Sequence, residues 1–182
     1  LRGWVDAAHE WTAGMDDVEA GFWATALAIR GEVNRAIETG RNEKILGASL
    51  EAKAVIYAFD AALAASMASR EEELKQAFIV SQIQFVSSVD DVTGACGGQC
   101  VSEITAAQAK LDGISIGDGA DAIVKVGVCK ADGAKCARCW GYFGDLGSDE
   151  RHPELCPRCT TIVIEKDPEL RVPAKKTEEV AA

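Results

Sequence analysis

The chain has 182 residues and a formal net charge of −10, and 48% of its residues are hydrophobic. This apolar content can supply a packed core, which argues against wholesale disorder, and no apolar run is long enough to cross a bilayer. Nucleic-acid binders usually present a basic surface, so an acidic chain would need a local patch to hold RNA.

Charge and cysteine usage vary along the chain. Residues 1–129 carry ten Lys and Arg against nineteen Asp and Glu, whereas residues 130–176 carry nine against eight. Any RNA contact would therefore have to come from a local patch, which we place in the second segment. Seven cysteines, four of them in CxxC pairs, favour a reducing compartment over a secreted disulfide scaffold. The chain opens at Leu1 without an initiator Met, so we expect that a preceding segment, which could include a targeting peptide, was removed.

The N-terminal part is predicted to be helical. Residues 1–15 read as the end of one helix, and an amphipathic helix follows over Val18–Glu38, where apolar residues recur at helical spacing. Asp16 is the expected N-cap with Glu19 as its reciprocal partner, and Gly40 is the expected stop.

The middle of the chain mixes strand and helix patterns. Strands are predicted at Val55–Phe59, Phe78–Val86, Ile123–Cys129 and Thr161–Ile164. One helix is predicted over Ala61–Ala68 with Asp60 as its cap, and a capping-box pattern at Ser69–Glu72 opens another. Residues 87–121 are rich in Gly, Ser and Asp and less regular, and a mobile tail is expected over 167–182.

Two CxxC pairs stand near the C-terminus. Cys136 and Cys139 form the first and Cys156 and Cys159 the second, with sixteen residues between the pairs. Four thiolates at this spacing can surround one Zn²⁺ tetrahedrally, and the spacing favours zinc over four incidental thiols. A tetrahedron filled by cysteines has no open position for substrate, so the ion would stabilise structure and take no part in a reaction.

Three further cysteines lie outside these pairs. Cys96 and Cys100 flank a Gly-Gly-Gln sequence and could form a second metal half-site or a disulfide. No matching second pair accompanies them, which favours free residues in a Gly-rich loop. Cys129 is expected to be a core residue of its strand.

Five stretches of the sequence stand in a characteristic order and spacing: Arg30–Glu38, Ile45–Ala52, Phe78–Ser81, Gly133–Trp140 and His152–Cys159. Together they resemble the C-terminal end of a bacterial-type isoleucyl-tRNA synthetase, over roughly residues 1–165. The Gly-Ala-Ser-Leu-Glu-Ala element and the Lys-Cys-x-x-Cys-Trp element are the specific parts of this resemblance.

The resemblance implies an architecture and a partner. The helical part would end the bundle that binds the anticodon stem, and the following parts would form the appendage that helps to dock tRNA. It also implies zinc ligation by the four paired cysteines. The family's nucleotide-binding signatures, of His-x-Gly-His and Lys-Met-Ser-Lys-Ser type, are absent from this sequence, so we expect no amino-acid activation by these residues alone.

The expected fold class is α+β, with a fragment of a helical bundle, a small α+β domain and a four-cysteine zinc knuckle. The predicted divisions are a bundle end at 1–44, an α+β domain at 45–129, a knuckle at 130–166 and a tail at 167–182.

Candidate RNA contacts lie in the knuckle and on the first helix. Trp140 could stack on a base or pack against the knuckle, and Arg138 and Arg158 could bind phosphates or offset the charge of the zinc centre. Arg30 and Arg35 could face RNA, although a solvated helix face is the simpler interpretation.

Two functions stay open on the sequence. The first is a non-catalytic tRNA-binding region of an isoleucyl-tRNA synthetase, stabilised by one structural zinc. The second is a synthetase-derived structural subunit of a larger protein assembly, in an organelle for example. The expected location is the bacterial cytoplasm, a mitochondrion or a plastid.

Overall fold

The computed structural model describes residues 16–98, 100–105 and 122–166. The helices are α1 (Asp17–Asn42), α2 (Ala61–Ser69), α3 (Glu71–Phe78), α4 (Val89–Cys96) and α5 (Pro157–Lys166), and a 3₁₀ turn covers Ser49–Glu51. The strands are β1 (Ala52–Ala58), β2 (Gln82–Phe85), β3 (Val101–Thr105), β4 (Ala122–Lys130), β5 (Ala134–Lys135) and β6 (Tyr142–Phe143). This content confirms the α+β class. The predictions for residues 1–15 and 167–182 lie outside the described residues.

Helix α1 confirms the predicted amphipathic helix. The Asp16 side chain accepts a hydrogen bond from the Glu19 N–H at 2.7 Å, which satisfies one of the free amides at the start of the helix. The buried face includes the predicted Ala26, Ile29, Val33 and Ile37. Gly40 does not end the helix. It lies buried two residues before the last helical residue, where an added Cβ would stand 3.1 Å from Leu46 Cδ1.

The main sheet has four strands in the order β2-β1-β4-β3. Strand β1 runs parallel to β2 and antiparallel to β4, and β3 is antiparallel to β4. The parallel pair requires a crossover, which α2 and α3 provide. The two central strands, β1 and β4, are buried along most of their length, as their near-continuous apolar sequences require.

The two faces of the sheet carry different cores. Helix α1 packs its buried face on one side, where Ala54, Ile56 and Val126 join the large core shared with Phe78 of α3. Helix α4 packs on the opposite side against Val55. Alternation along the strands sorts neighbouring residues onto opposite faces, so each core receives every second side chain.

The segment between α2 and β2 differs from its prediction. Phe78 is buried as the last residue of α3 and does not begin a strand. Ile79 then adopts a left-handed backbone with φ of 59°, and β2 starts only at Gln82. A helix does begin where the capping box was predicted, at Ser69–Glu72, but the predicted side-chain cap is not formed. Arg70 occupies the N-cap position without a side-chain cap, and its guanidinium binds Glu19 at 2.6 and 2.7 Å.

Two further segments hold elements that were not predicted from the sequence. The described part of 87–121 contains α4, which Ser88 caps through the Asp91 N–H, and β3, which begins at Val101. The apolar run Thr161–Ile164 belongs to helix α5 and not to a strand. Pro157 occupies the first helical position, where its missing N–H costs nothing, and it starts a helix through this β-branched run.

The sheet and the cysteine-rich segment meet through several polar contacts. The Ser81 hydroxyl accepts from the Tyr142 N–H at 2.8 Å and donates to the Leu50 carbonyl at 2.5 Å. Gln82 exchanges two side-chain hydrogen bonds with the backbone of Asp132. These bonds fix the orientation of the knuckle on the sheet.

Helix α1 shares its core with the sheet. The predicted division at residue 44 therefore falls between two elements that pack on each other, and the domain scheme stays a prediction. Among the described residues, no helix combines the length and the apolar character that crossing a membrane would require.

Candidate metal centre

The four paired cysteines converge on one point. Their sulfur atoms all lie within 4.8 Å of one another, and Cys139 Sγ stands 3.9 Å from Cys156 Sγ. A tetrahedral zinc ion with bonds of about 2.3 Å would place its sulfur ligands about 3.8 Å apart. Three of the four side chains are buried and that of Cys139 is half-buried. The cage therefore fits one zinc ion and leaves no open coordination position.

Backbone geometry holds the first pair in its turn. The Trp140 N–H donates to the Cys136 carbonyl at 3.0 Å, and the Cys136 N–H donates to the Gly141 carbonyl at 2.9 Å. Gly133 opens the β5–β6 hairpin with φ of 89°, where a Cβ would lie 2.2 Å from the Phe143 carbonyl oxygen. Only glycine can occupy this position, because no other residue could both take this φ and avoid the opposite strand.

The second pair stands at the start of α5. Cys156 precedes the helix and Cys159 lies in its first turn. The Cys156 N–H points at Cys136 Sγ over 3.4 Å, so the two pairs are also joined directly. A helix N-terminus favours negative charge, which suits thiolates at this position.

The sulfur atoms of the cage differ in how readily they ionise. Burial raises the pKa of Cys136, but N–H groups of Cys139, Cys156 and Arg138 outweigh it and lower that pKa to about 6. Burial and the neighbouring sulfurs raise the pKa of Cys156 to about 12. Cys136 thus ionises readily, whereas the raised pKa values of Cys139 and Cys156 disfavour their thiolates. A divalent ion removes this conflict, so the donor set fits zinc.

The knuckle residues proposed for RNA differ in their surroundings. Trp140 is 63% exposed and holds a left-handed backbone with φ of 66°. The Lys135 ammonium lies 5.7 Å from the centre of its ring. Arg158 is exposed. The Arg138 guanidinium donates to Cys159 Sγ over 3.7 Å, as expected if it offsets the charge of the sulfurs.

The helix arginines lie apart from the cysteine cage along the chain, on α1. Arg35 is exposed and binds both carboxylate oxygens of Glu32 at 2.7 and 2.8 Å. Arg30 is half-buried, and its Nε is buried without a partner among the described residues.

Sequence reasoning missed two supports of the cage. Ser81 lies in one of the resembling stretches, but nothing in its local pattern shows that it would hold Tyr142. Gly147 has φ of 73°, and a Cβ there would stand 2.6 Å from the Pro153 carbonyl oxygen. The Gly-Ser-Asp sequence that begins at Gly147 is a turn signal, and it could have identified this residue as a support of the cage.

Comparison with known proteins agrees with this site. The family described as "Zinc finger found in FPG and IleRS" matches residues 133–162, which include all four cage cysteines. Isoleucine–tRNA ligase of Edwardsiella ictaluri is 39% identical over 161 residues, which are 85% of this chain and 15% of that protein. The chloroplastic/mitochondrial isoleucine–tRNA ligase of Arabidopsis thaliana is 35% identical over 159 residues, 84% of this chain and 13% of that protein. Isoleucine–tRNA ligase of Staphylococcus aureus strain JH9 is 37% identical over 141 residues, 78% of this chain and 13% of that protein.

The chain thus spans only 13 to 15% of the length of these relatives. The zinc finger and the similarity outside it point to the same family. The sequence is therefore similar, over most of its length, to a C-terminal portion of isoleucine–tRNA ligases and carries the zinc finger found in them.

Proposed function

We propose that this chain acts as a non-catalytic tRNA-binding region of an isoleucyl-tRNA synthetase, with zinc holding its binding surface in place. One observation carries the proposal: Trp140, a large exposed aromatic residue, directly follows a zinc ligand in a strained left-handed conformation. Such a conformation costs a non-glycine residue about 1–2 kcal/mol. Strain of this kind at an exposed side chain favours a functional role for it.

The mechanism is positioning. The zinc cage fixes the CxxC turn, so the Trp140 ring is presented without loss of conformational freedom on binding. An unpaired base can stack on this ring, because every base has a flat π-face. Lys135 and Arg158 would contact phosphates beside it, and Arg138 would do so while also facing the sulfurs. Arg30 and Arg35 are proposed as secondary contacts, and Arg35 would have to release Glu32.

The test compares two variants of Trp140 in binding to the cognate tRNA. Trp140→Gly removes the ring and accepts the backbone angle, so unfolding should need at least as much denaturant as before. Its affinity should fall by about 5- to 150-fold, the equivalent of ~1–3 kcal/mol for one stacked base. Trp140→Phe keeps a stacking surface and should retain most of the binding. Equal affinity for all three proteins would overturn the role of Trp140.

The alternative function is that of a structural subunit in a larger protein assembly. The net charge of −10 favours this structural role over RNA binding, because an acidic chain repels the phosphates of RNA. The two functions differ in what co-purifies with the native chain, namely tRNA or a defined set of proteins. We propose a location in the bacterial cytoplasm or in an organelle, the latter by analogy with the chloroplastic/mitochondrial relative, and a reducing compartment because none of the seven cysteines forms a disulfide.

A further inference from the structure

The sheet separates the two cysteines of the Cys96-to-Cys100 motif. Cys100 is fully buried on the α1 side, where its Sγ would stand 3.4 Å from a Cβ added at Gly40. Cys96 lies on the opposite face, over Gly127 of β4, where an added Cβ would come within 2.6 Å of its Sγ. These two cysteines therefore do not form a pair with each other.

The cysteine that lies beside Cys96 is Cys129. Gly127 and Cys129 are two residues apart on β4, so they share the face that α4 covers. Both cysteines pack in the small core that contains Val55 and Val92. Cys129 is half-buried, whereas Cys96 and Cys100 are buried.

The two thiols are electrostatically unequal. A hydrogen bond from Cys96 is the main cause that lowers the pKa of Cys129 to about 7, against the opposing effects of burial and Asp132. Lys53 adds to this effect, since it lies directly opposite Cys129 in the β1–β4 register. The same hydrogen bond and burial raise the pKa of Cys96. The Lys53 ammonium is held 2.7 Å from Asp132 Oδ2, at the junction with the knuckle.

We propose that Cys129 and Cys96 form a reactive dithiol site that exchanges with low-molecular-weight disulfides. The Cys129 thiolate attacks one sulfur of a disulfide RSSR, a Cys129–SR bond forms, and RS⁻ leaves. The Cys96 thiol, as it loses its proton, then attacks Cys129 Sγ and releases a second RS⁻, which takes up that proton. The protein loses two electrons and becomes a Cys96–Cys129 disulfide, and RSSR is reduced to two thiols.

The other five cysteines are less suited to this exchange. Cys100 has no solvent exposure, and burial raises its pKa. The four cage sulfurs would be zinc ligands when the ion is bound, and donation to the metal lowers their nucleophilicity. The thiol that reacts fastest with a disulfide should therefore be that of Cys129, which is half-buried and has a lowered pKa, since redox-active cysteines share these properties.

The test treats the zinc-loaded chain with oxidised glutathione, alkylates the remaining thiols, digests the protein and identifies linked peptides by mass spectrometry. A Cys96–Cys129 link should be the main product, with zinc retained. Cys96→Ser should stop the reaction at a glutathione adduct on Cys129, and Cys129→Ser should abolish the link. Cys100→Ser is the matched control and should leave the link unchanged.

A second readout needs no substitution. Alkylation of Cys129 by iodoacetamide in the zinc-loaded protein should reach half its maximal rate near pH 7, and at pH 7 it should exceed that of Cys100 more than about tenfold. The proposal fails if oxidation falls mainly on the cage cysteines with release of zinc. It also fails if Cys129 is alkylated no faster than Cys100.

Discussion

Single residues in this protein are constrained by how closely their neighbours approach. Gly127 is the strongest case, because its position on the central strand β4 lies under α4 with no room for a side chain. An ideal Cβ would stand 2.8 Å from Val92 Cγ1 and 3.2 Å from the Val92 carbonyl oxygen, in addition to its clash with Cys96. A side chain here would push the helix off the sheet.

Gly127→Ala should therefore lower the free energy of unfolding by about 1–3 kcal/mol, the usual cost of overpacking. Gly94→Ala is the matched control on α4 itself, since nothing lies within 4 Å of a Cβ there. That change should raise stability by about 0.5–1 kcal/mol, because alanine loses less entropy than glycine in a helix. Denaturant unfolding of both variants checks the pair, and equal stabilities would show that α4 does not pack as described.

At the scale of elements, the knuckle depends on its metal and the sheet does not. The cage residues form a small core of their own with Phe143, Leu146 and Leu155. This cluster is too small to compensate for the entropy of ordering its loops without the ion. The α1–sheet core has no such dependence.

Cys139→Ser should therefore unfold residues 130–166 and spare α1 and the main sheet. Amide hydrogen exchange should show lost protection confined to the knuckle, together with loss of stoichiometric zinc. Cys129→Ser is the matched control, a cysteine outside the cage, and should keep both. Loss of protection throughout the described residues would contradict the separation of the two cores.

The ion pair between Glu19 of α1 and Arg70, which precedes α3, predicts that the stability of the fold depends on pH. Hydrogen bonds from Arg70 and then Trp23 lower the pKa of Glu19. A lowered carboxyl pKa contributes stability that is present above its ordinary value, near 4.5, and is lost as pH falls through the folded-state value.

Glu19→Gln should consequently be less stable than the native chain at neutral pH, and the difference should shrink below about pH 4. The control is Glu38→Gln, which removes an exposed carboxylate paired with Arg41 within the same helix. Urea unfolding of the three proteins at pH 7 and pH 3.5 measures the effect. A difference between Glu19→Gln and the native chain that is independent of pH would exclude an ionic contribution from this pair.

At the scale of the whole molecule, charge limits how RNA can be held. The acidic excess lies in residues 1–129, so the nearly neutral knuckle is the least repulsive surface for a phosphate chain. Three of its cations lie within or directly beside the CxxC pairs and can each neutralise about one phosphate, namely Lys135, Arg138 and Arg158.

Binding to tRNA should accordingly be micromolar or weaker, with a slope of about −2 when the logarithm of affinity is plotted against that of salt concentration. Arg158→Ala should make the slope shallower by about 0.7, whereas Lys75→Ala should leave it unchanged, because Lys75 lies on α3 and is paired there with Glu72. Filter binding at several salt concentrations tests this. Nanomolar affinity with a steep slope would disprove the inferred charge distribution.

Local patterns in the sequence were enough for the parts that depend on near neighbours. The repeat of apolar residues predicts α1, because this repeat places them all on one face of a helix. The spacing of the two CxxC pairs predicts the cage, because each pair fits within a single tight turn. Asp60 and Asp16 were recognisable as caps for the same reason, since each bonds an amide three residues away.

Other parts required contacts between distant residues. The end of α3 at Phe78, the continuation of α1 past Gly40 and the helical state of Thr161–Ile164 all oppose their local propensities and are set by packing. The partner of Cys96 belongs to this class as well.

The sequence by itself thus predicted the two CxxC pairs of the cage, the long first helix and the α+β class, because each rests on patterns that are regular along a local stretch of chain. The tertiary structure alone decided which cysteines share a face, which strand lies beside which, and how Ser81 holds the knuckle. The physical reason is that successive side chains of a strand point to opposite faces, which a local sequence can show only relative to that strand. The pairing of strands that are far apart in the chain then decides which side chains of different strands lie on the same face of the sheet.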